Sequence, residues 1–246
     1  MTIEIREHRP GEDITDFIRA GHVVFEGDPA WVPPLDFEIK ERLHPKKNPF
    51  FNRAEAVYFT AWKDGKLVGR CSAQIDREHL RVWKDDTGFF GFFDTIDDVE
   101  VGKKLIESAE AWLRARGMKR MWGPFSLYAN EEVGILIEGH ECPPMLSMAH
   151  SRTYQAAICD AAGLAKEKDL LCFRWDGSIP FSARAIKAWE DVKALPEVKR
   201  IVTEQYDRSR RLLEGSQAEL RRIADELLAG LVRLEDRKST RLNSSH

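Results

Sequence analysis

The sequence predicts an α/β sandwich, and three observations carry that expectation. Strand-like and helix-like periodicities alternate along the first two thirds of the chain. Two apolar runs, 54–62 and 67–76, flank Asp64-Gly65, the dipeptide most suited to a tight hairpin. A run of aromatics, Phe89, Phe90, Phe92 and Phe93, then leads directly into an acidic stretch with helix-capping character.

The chain has 246 residues, 43% of them hydrophobic and 10% aromatic, enough for a substantial core. A formal net charge of −3 offers no electrostatic reason to expect nucleic acid or an anionic membrane as partner. No apolar stretch reaches the roughly 18 residues of a membrane span. The first residues lack the basic and apolar regions of a signal peptide, so a cytosolic location is expected. Cys71, Cys142, Cys159 and Cys172 form no CxxC pair, which argues for reduced thiols. His140, Cys142 and His150 are close in sequence but not at an established ligand spacing, so no metal site is expected.

Residues 3–7 alternate like a half-buried strand, and Asp13 with Asp16 opens an amphipathic helix carrying Ile14, Phe17, Ile18, Val24 and Phe25. Pro33-Pro34 breaks it, and a short helix over 36–43 follows. After the hairpin, 87–94 reads as a third strand of a meander, its Gly88 and Gly91 marking a bulge or the close approach of another backbone. Asp97 with Glu100 suggests a capping box for a helix running to Arg116, stopped by Gly117. Strands are expected at 118–122, 134–137 and 169–175. Ser151 is expected to cap a helix through Ala162, closed by Gly163. The four phenylalanines are better read as core than as a ligand cage.

This order, with the Asp-Gly hairpin, the long helix after the third meander strand and the late Ala161-Ala162-Gly163-Leu164, resembles the GNAT superfamily of acyl-CoA-dependent N-acyltransferases over about residues 1–176. More narrowly, Phe51-Asn52-Arg53-Ala54-Glu55, Gly91-Phe92-Phe93, Trp112-Leu113-Arg114-Ala115-Arg116-Gly117, Gly123-Pro124-Phe125, Asn130-Glu131-Glu132 and Pro143-Pro144-Met145 look like a bacterial GNAT-like family of uncertain substrate whose matching segments precede a second domain. The resemblance implies a mixed, mostly antiparallel sheet flanked by helices, with a helical tail beyond. It implies acyl transfer from acetyl-CoA or another acyl-CoA to a small-molecule amine.

Such chemistry needs a phosphate cradle, a base and an acid. The resemblance puts the cradle between Asp94 and Lys104, with Phe93, Thr95, Val101, Gly102, Lys103 and Lys104 as cofactor-binding candidates. One late glycine and four carboxylates stand there in place of the superfamily's Arg/Gln-x-x-Gly-x-Gly/Ala. Glu131 or Glu132 is the candidate base, unless both are solvated loop charges or Glu131 caps a helix. Asn130 would fix a substrate group or only shape its turn. The superfamily's tyrosine position holds Cys159, so Tyr154 is the candidate acid, or else a packing residue. His150 and His140 are alternative proton carriers. The competing expectation is a degenerate domain that binds a ligand or packs against a second domain absent from this chain.

Beyond Pro180, helices are expected from 182 to 195 and from Pro196, restarted by Ser216 with Glu219 through Leu220, Ile223, Leu227 and Leu231. The run from Val198 to Leu228 resembles the C-terminal helices of membrane-anchored AAA zinc metalloproteases, although their H-E-x-x-H is absent. Residues 237–246 resemble translated sequencing adapter. On these likenesses the segment from 197 onward is expected to be foreign to the domain before it; the alternative is a native helical extension followed by a disordered end.

Overall fold

Every strand of the sheet lies in the first of two compact units, residues 1–171; the second runs from 172 onward. The computed structural model describes residues 2–173, 177–178, 180–218, 220–222 and 224–225. The first unit runs β1 (Ile3–His8), α1 (Thr15–Val24), α2 (Asp36–Arg42), a 3-10 turn (Pro49–Asn52), β2 (Ala54–Lys63), β3 (Lys66–Asp76), α3 (Arg77–Trp83), β4 (Thr87–Thr95), α4 (Val99–Arg114), β5 (Arg120–Trp122) and α5 (Gln155–Ala161). The sheet keeps chain order, β1-β2-β3-β4-β5. Its first three pairings are antiparallel and β4 pairs β5 in parallel across the α4 crossover. This is the mixed, mostly antiparallel α/β arrangement expected of the chain.

Period-two alternation sorts the side chains. Val57, Phe59 and Ala61 of β2 join Leu105, Trp112 and Leu113 of α4 in one core. Ala56 and Tyr58 face Phe17, Ile18, Ile39 and Leu43 of α1 and α2 in the other. With helices on both faces, all nine residues of β4 are buried, the four phenylalanines among them. Asp64 and Gly65 take φ of 48° and 77°, the left-handed pair of a type I′ turn, so the hairpin forms where expected. At Gly91 a Cβ would lie 1.8 Å from the Phe125 carbonyl oxygen, the close approach that its glycine signalled.

Several local expectations need correction. Asp98, not Asp97, caps α4: its Oδ1 accepts from the N–H groups of Glu100 (3.0 Å) and Val101 (3.3 Å). Ser151 caps nothing, because its hydroxyl accepts from Leu136 N (3.0 Å), and α5 begins four residues later at Gln155. Residues 134–137 form no strand, only an isolated bridge joining Phe125 to Val133. Pro124, lacking a donor, ends the pairing of β5 after three residues, and residues 169–173 form no strand either. The remainder of that expected strand, Arg174 and Trp175, lies outside the described residues. The exposed helix α3, capped by Asp76 on Glu78 N (2.9 Å), was not expected from the residue pattern.

In the second unit α6 (Ala183–Ala194) is capped by Ser182, and α7 (Pro196–Gly215) starts on Pro196. Ser216 is the C-terminal flank of α7. Glu219, Ile223, Leu227 and Leu231 of the expected restart, and residues 237–246, lie outside the described residues. Among the described residues no helix is long and apolar enough to cross a membrane.

Candidate active site

The C-terminal half of β4 is where the sheet departs from regularity. Arg70 of β3 pairs with Asp94 and Ser72 with Gly91, so Phe92 and Phe93 together oppose Cys71 in a bulge. Phe92 has φ of 45°, uncommon for a side chain of this size. On the other edge β5 accompanies β4 only through Phe89. The Phe125 N–H then donates to the Phe90 carbonyl (2.7 Å), and past Gly91 side chains from elsewhere take the place of a strand. Gln155 Nε2 donates to the Phe93 carbonyl (2.8 Å) and Tyr154 Oη to the Thr95 carbonyl (2.9 Å). Arg70 Nε donates to the Asp94 carboxylate (2.6 Å). The Phe92 ring lies beneath two guanidinium groups, Arg42 at 5.0 Å and Arg70 at 5.6 Å.

Arg42, at the end of α2, brings the Asn130-Glu131-Glu132 loop to this point. Its Nη1 donates to Glu132 (3.0 Å) and its Nη2 to the second Glu132 oxygen and to the Ser126 carbonyl (3.1 Å), while Glu131 stands 3.4 Å away. Burial opposes the charge of both partners, yet the pairing prevails: the Arg42 guanidinium is held above its ordinary range and the Glu132 carboxyl below the usual carboxylate range. Glu132 is therefore an ionised anchor with its lone pairs engaged, and Glu131 is the freer carboxylate. Asn130 is exposed in the turn closed by Glu131 N on the Tyr128 carbonyl. Around Phe92 the guanidinium groups of Arg42 and Arg70 meet the carboxylates of Glu131, Glu132 and Asp94, leaving a negative charge in excess.

Tyr154 keeps its proton. Burial raises the phenol's pKa and outweighs the opposing hydrogen bond from Arg152. Cys159, expected from the resemblance to stand where a tyrosine acid would, lies in the core with α4 residues, and burial pushes its thiol up to about 12. His150 is set against Asp28; His140 carries an unpartnered buried Nε2. Among the described residues no group of three or more acidic, histidine or cysteine side chains could hold a metal ion.

The first turn of α4, the expected cradle, already holds an anion. Asp98 takes the second and third of its N–H groups and is itself ion-paired with Lys63, which, with the hydrogen bonds from Val101 and Glu100, keeps the carboxyl below its usual range. Phe93 and Val101 are core residues, and Gly102 permits α5 to close on α4, since a Cβ there would meet Ile158 at 2.1 Å. Lys103 leans back one turn toward Glu100 (3.9 Å), and Lys104 is exposed. Thr95 is fully buried, its hydroxyl without a protein partner. As folded, Asp98 occupies two of the N–H groups that a pyrophosphate would need at this helix start.

Sequence reasoning missed Arg42, Arg70, Gln155, Asp28 and Arg152. Arg70 alone left a signal, a charge in the middle of an otherwise apolar strand.

No family model matches the chain. Protein YghO of Escherichia coli K12 is 36% identical over 205 residues, 82% of this chain and 52% of that protein. The bacterial ceramide synthase of Caulobacter vibrioides is 41% identical over 187 residues, 74% of this chain and 47% of that protein. The chain thus spans about half the length of the curated relatives it matches. Among solved structures, an aminoglycoside acetyltransferase from an uncultured soil metagenomic sample superposes with a TM-score of 0.42 at 13% identity, covering 71% of this chain and 95% of that one. Glucosamine-6-phosphate N-acetyltransferase of Arabidopsis thaliana gives 0.41 at 14%, covering 72% and 100%. These findings lend no support to the likeness of the tail to metalloprotease helices or of residues 237–246 to translated adapter.

Proposed function

We propose that this chain belongs to a protein that transfers an acyl group from a thioester, acyl-CoA or another, to an amine. What carries the reading is the held end of β4, where each residue from Phe92 to Thr95 is gripped by a side chain from another element and Tyr154 keeps a proton at the edge that β5 leaves open. An amine attacking a thioester carbonyl forms a C–N bond and expels a thiolate. Tyr154, protonated and beside Arg152, suits protonation of that thiolate. The excess negative charge of Glu131, Glu132 and Asp94 over Arg42 and Arg70 favours an incoming ammonium group. Ceramide is an N-acylated long-chain amino alcohol, so the relationship to a ceramide synthase points to an acceptor of that class.

The self-capped α4 favours a second reading, a domain that binds a ligand of this kind without turning it over. One experiment separates the two. The chain is incubated with sphinganine and either palmitoyl-CoA or palmitoyl-N-acetylcysteamine, and the amide is sought by mass spectrometry. Amide formation supports transfer; sphinganine binding by calorimetry without amide supports the second reading and removes the first.

A further inference from the structure

The connection between α1 and α2 exposes apolar side chains that no core explains. Val32, Leu35 and Phe37 are 57%, 55% and 62% exposed, while Ile39 and Leu43, just beyond them, are buried in the core with Phe17 and Ile18. The α2 segment is thus apolar on its outer side as well as its inner one. The chain leading to these residues is fixed. Trp31 stacks on Phe25 at 5.2 Å and meets the His22 ring edge-on at 5.2 Å, and Pro33-Pro34 restrict the backbone that follows. Apolar groups presented on an ordered segment lose little further entropy when they are covered.

Beside them lies an open cleft of about 170 Å³ between α1 and α2, lined by Arg19, His22, Asp36 and Lys40 among others. Asp16 engages Arg19 (2.9 Å) and Asp36 faces His22 (2.9 Å). Lys40, one helical turn from Phe37 on α2, makes no ion pair among the described residues and brings a positive charge to the cleft wall. This corner adjoins the end of β4. Asp28, in the same connection, stands 3.2 Å from Arg152 Nη1, and Tyr154, two residues later, donates to the Thr95 carbonyl.

We propose that the α1–α2 corner seats the protein on a phospholipid bilayer, with Val32, Leu35 and Phe37 entering the acyl boundary and the cleft receiving a lipid phosphate at Lys40. Apolar side chains with a cation one helical turn away match a surface in which phosphates overlie acyl chains. The choice of a bilayer as occupant rests on the acyl-transfer reading above: a long-chain amine of the sphinganine class keeps its chain in lipid, so a protein that acylates it meets it at that surface.

The test is sedimentation of the full chain with vesicles of equal parts phosphatidylcholine and phosphatidylglycerol, with neither acyl donor nor amine present. The unsubstituted chain should pellet with the vesicles. Phe37→Asp should weaken partitioning by at least about tenfold, the worth of one buried aromatic side chain, and Lys40→Gln by about fivefold, the worth of one cation at an anionic surface. Both side chains are exposed, so circular dichroism should show both variants folded. Trp83→Asp, at an exposed tryptophan near the start of β4, should bind as the unsubstituted chain does. No pelleting, undiminished binding in Phe37→Asp or Lys40→Gln, or an equal loss in Trp83→Asp overturns the proposal. So does a chain that ignores vesicles and sediments as a dimer broken by Phe37→Asp, which would give the patch to a second copy. Because no substrate is present, failure here leaves acyl transfer standing, and absence of amide in the assay above removes transfer without altering the vesicle result.

Discussion

Glu132 shows how one ion pair links stability to the site. Its carboxyl titrates below the range it has in the unfolded chain, about 4.3 for glutamate, because Arg42 grips the ionised form. A depressed carboxylate stabilises the fold above its unfolded pKa, and that contribution is lost as pH falls through the folded value. Glu132→Gln should therefore lower stability at pH 7 by about 1 kcal/mol, a modest figure because both partners keep some exposure to solvent. The gap between the two urea midpoints should close below about pH 4; a gap that persists undiminished at pH 3 would show that Arg42 does not act through the charge.

The hairpin and the aromatic strand are elements whose chemistry is local, and both were legible: Asp64-Gly65 dictates its own turn, and Gly91 announced the approach of Phe125. The carboxylate capping α4 was misassigned by one position, since Asp97 and Asp98 differ only in which N–H groups they reach once the backbone is built. Most of the site was not legible. Arg42 and Glu132 are 90 positions apart and Asp28 and His150 are 122 apart, so no local period records their meeting. Arg70 faces Asp94 only because the bulge sets that register. Gly91→Ala would drive a Cβ into backbone that cannot yield, and urea titration should show a loss of about 3 kcal/mol or more. Asp98→Ala should lose about 1 kcal/mol from the cap. Because Asp98 already fills the α4 terminus, palmitoyl-CoA and palmitoyl-N-acetylcysteamine should be used by the unsubstituted chain with kcat/KM values within about tenfold; 1.4 kcal/mol corresponds to that factor. A preference for the CoA ester of several hundredfold would mean that the terminus opens to phosphate.

For the whole molecule, both apolar cores are drawn from residues up to 164, and no described residue of α6 or α7 is buried. A fragment of residues 1–171 should thus unfold cooperatively in urea at the midpoint of the full chain's sheet unit, and a broad, non-cooperative transition would show that the cores depend on residues from 172 onward. On the proposed function, the end of β4 is a reaction centre in which Tyr154 gives up a proton. The test is single-turnover amide formation from palmitoyl-N-acetylcysteamine and sphinganine, compared between the unsubstituted chain and Tyr154→Phe. Loss of the hydroxyl should slow the amide-forming step about 100-fold while sphinganine binding stays unchanged. Equal rates in the two chains, or no amide from either, would contradict it.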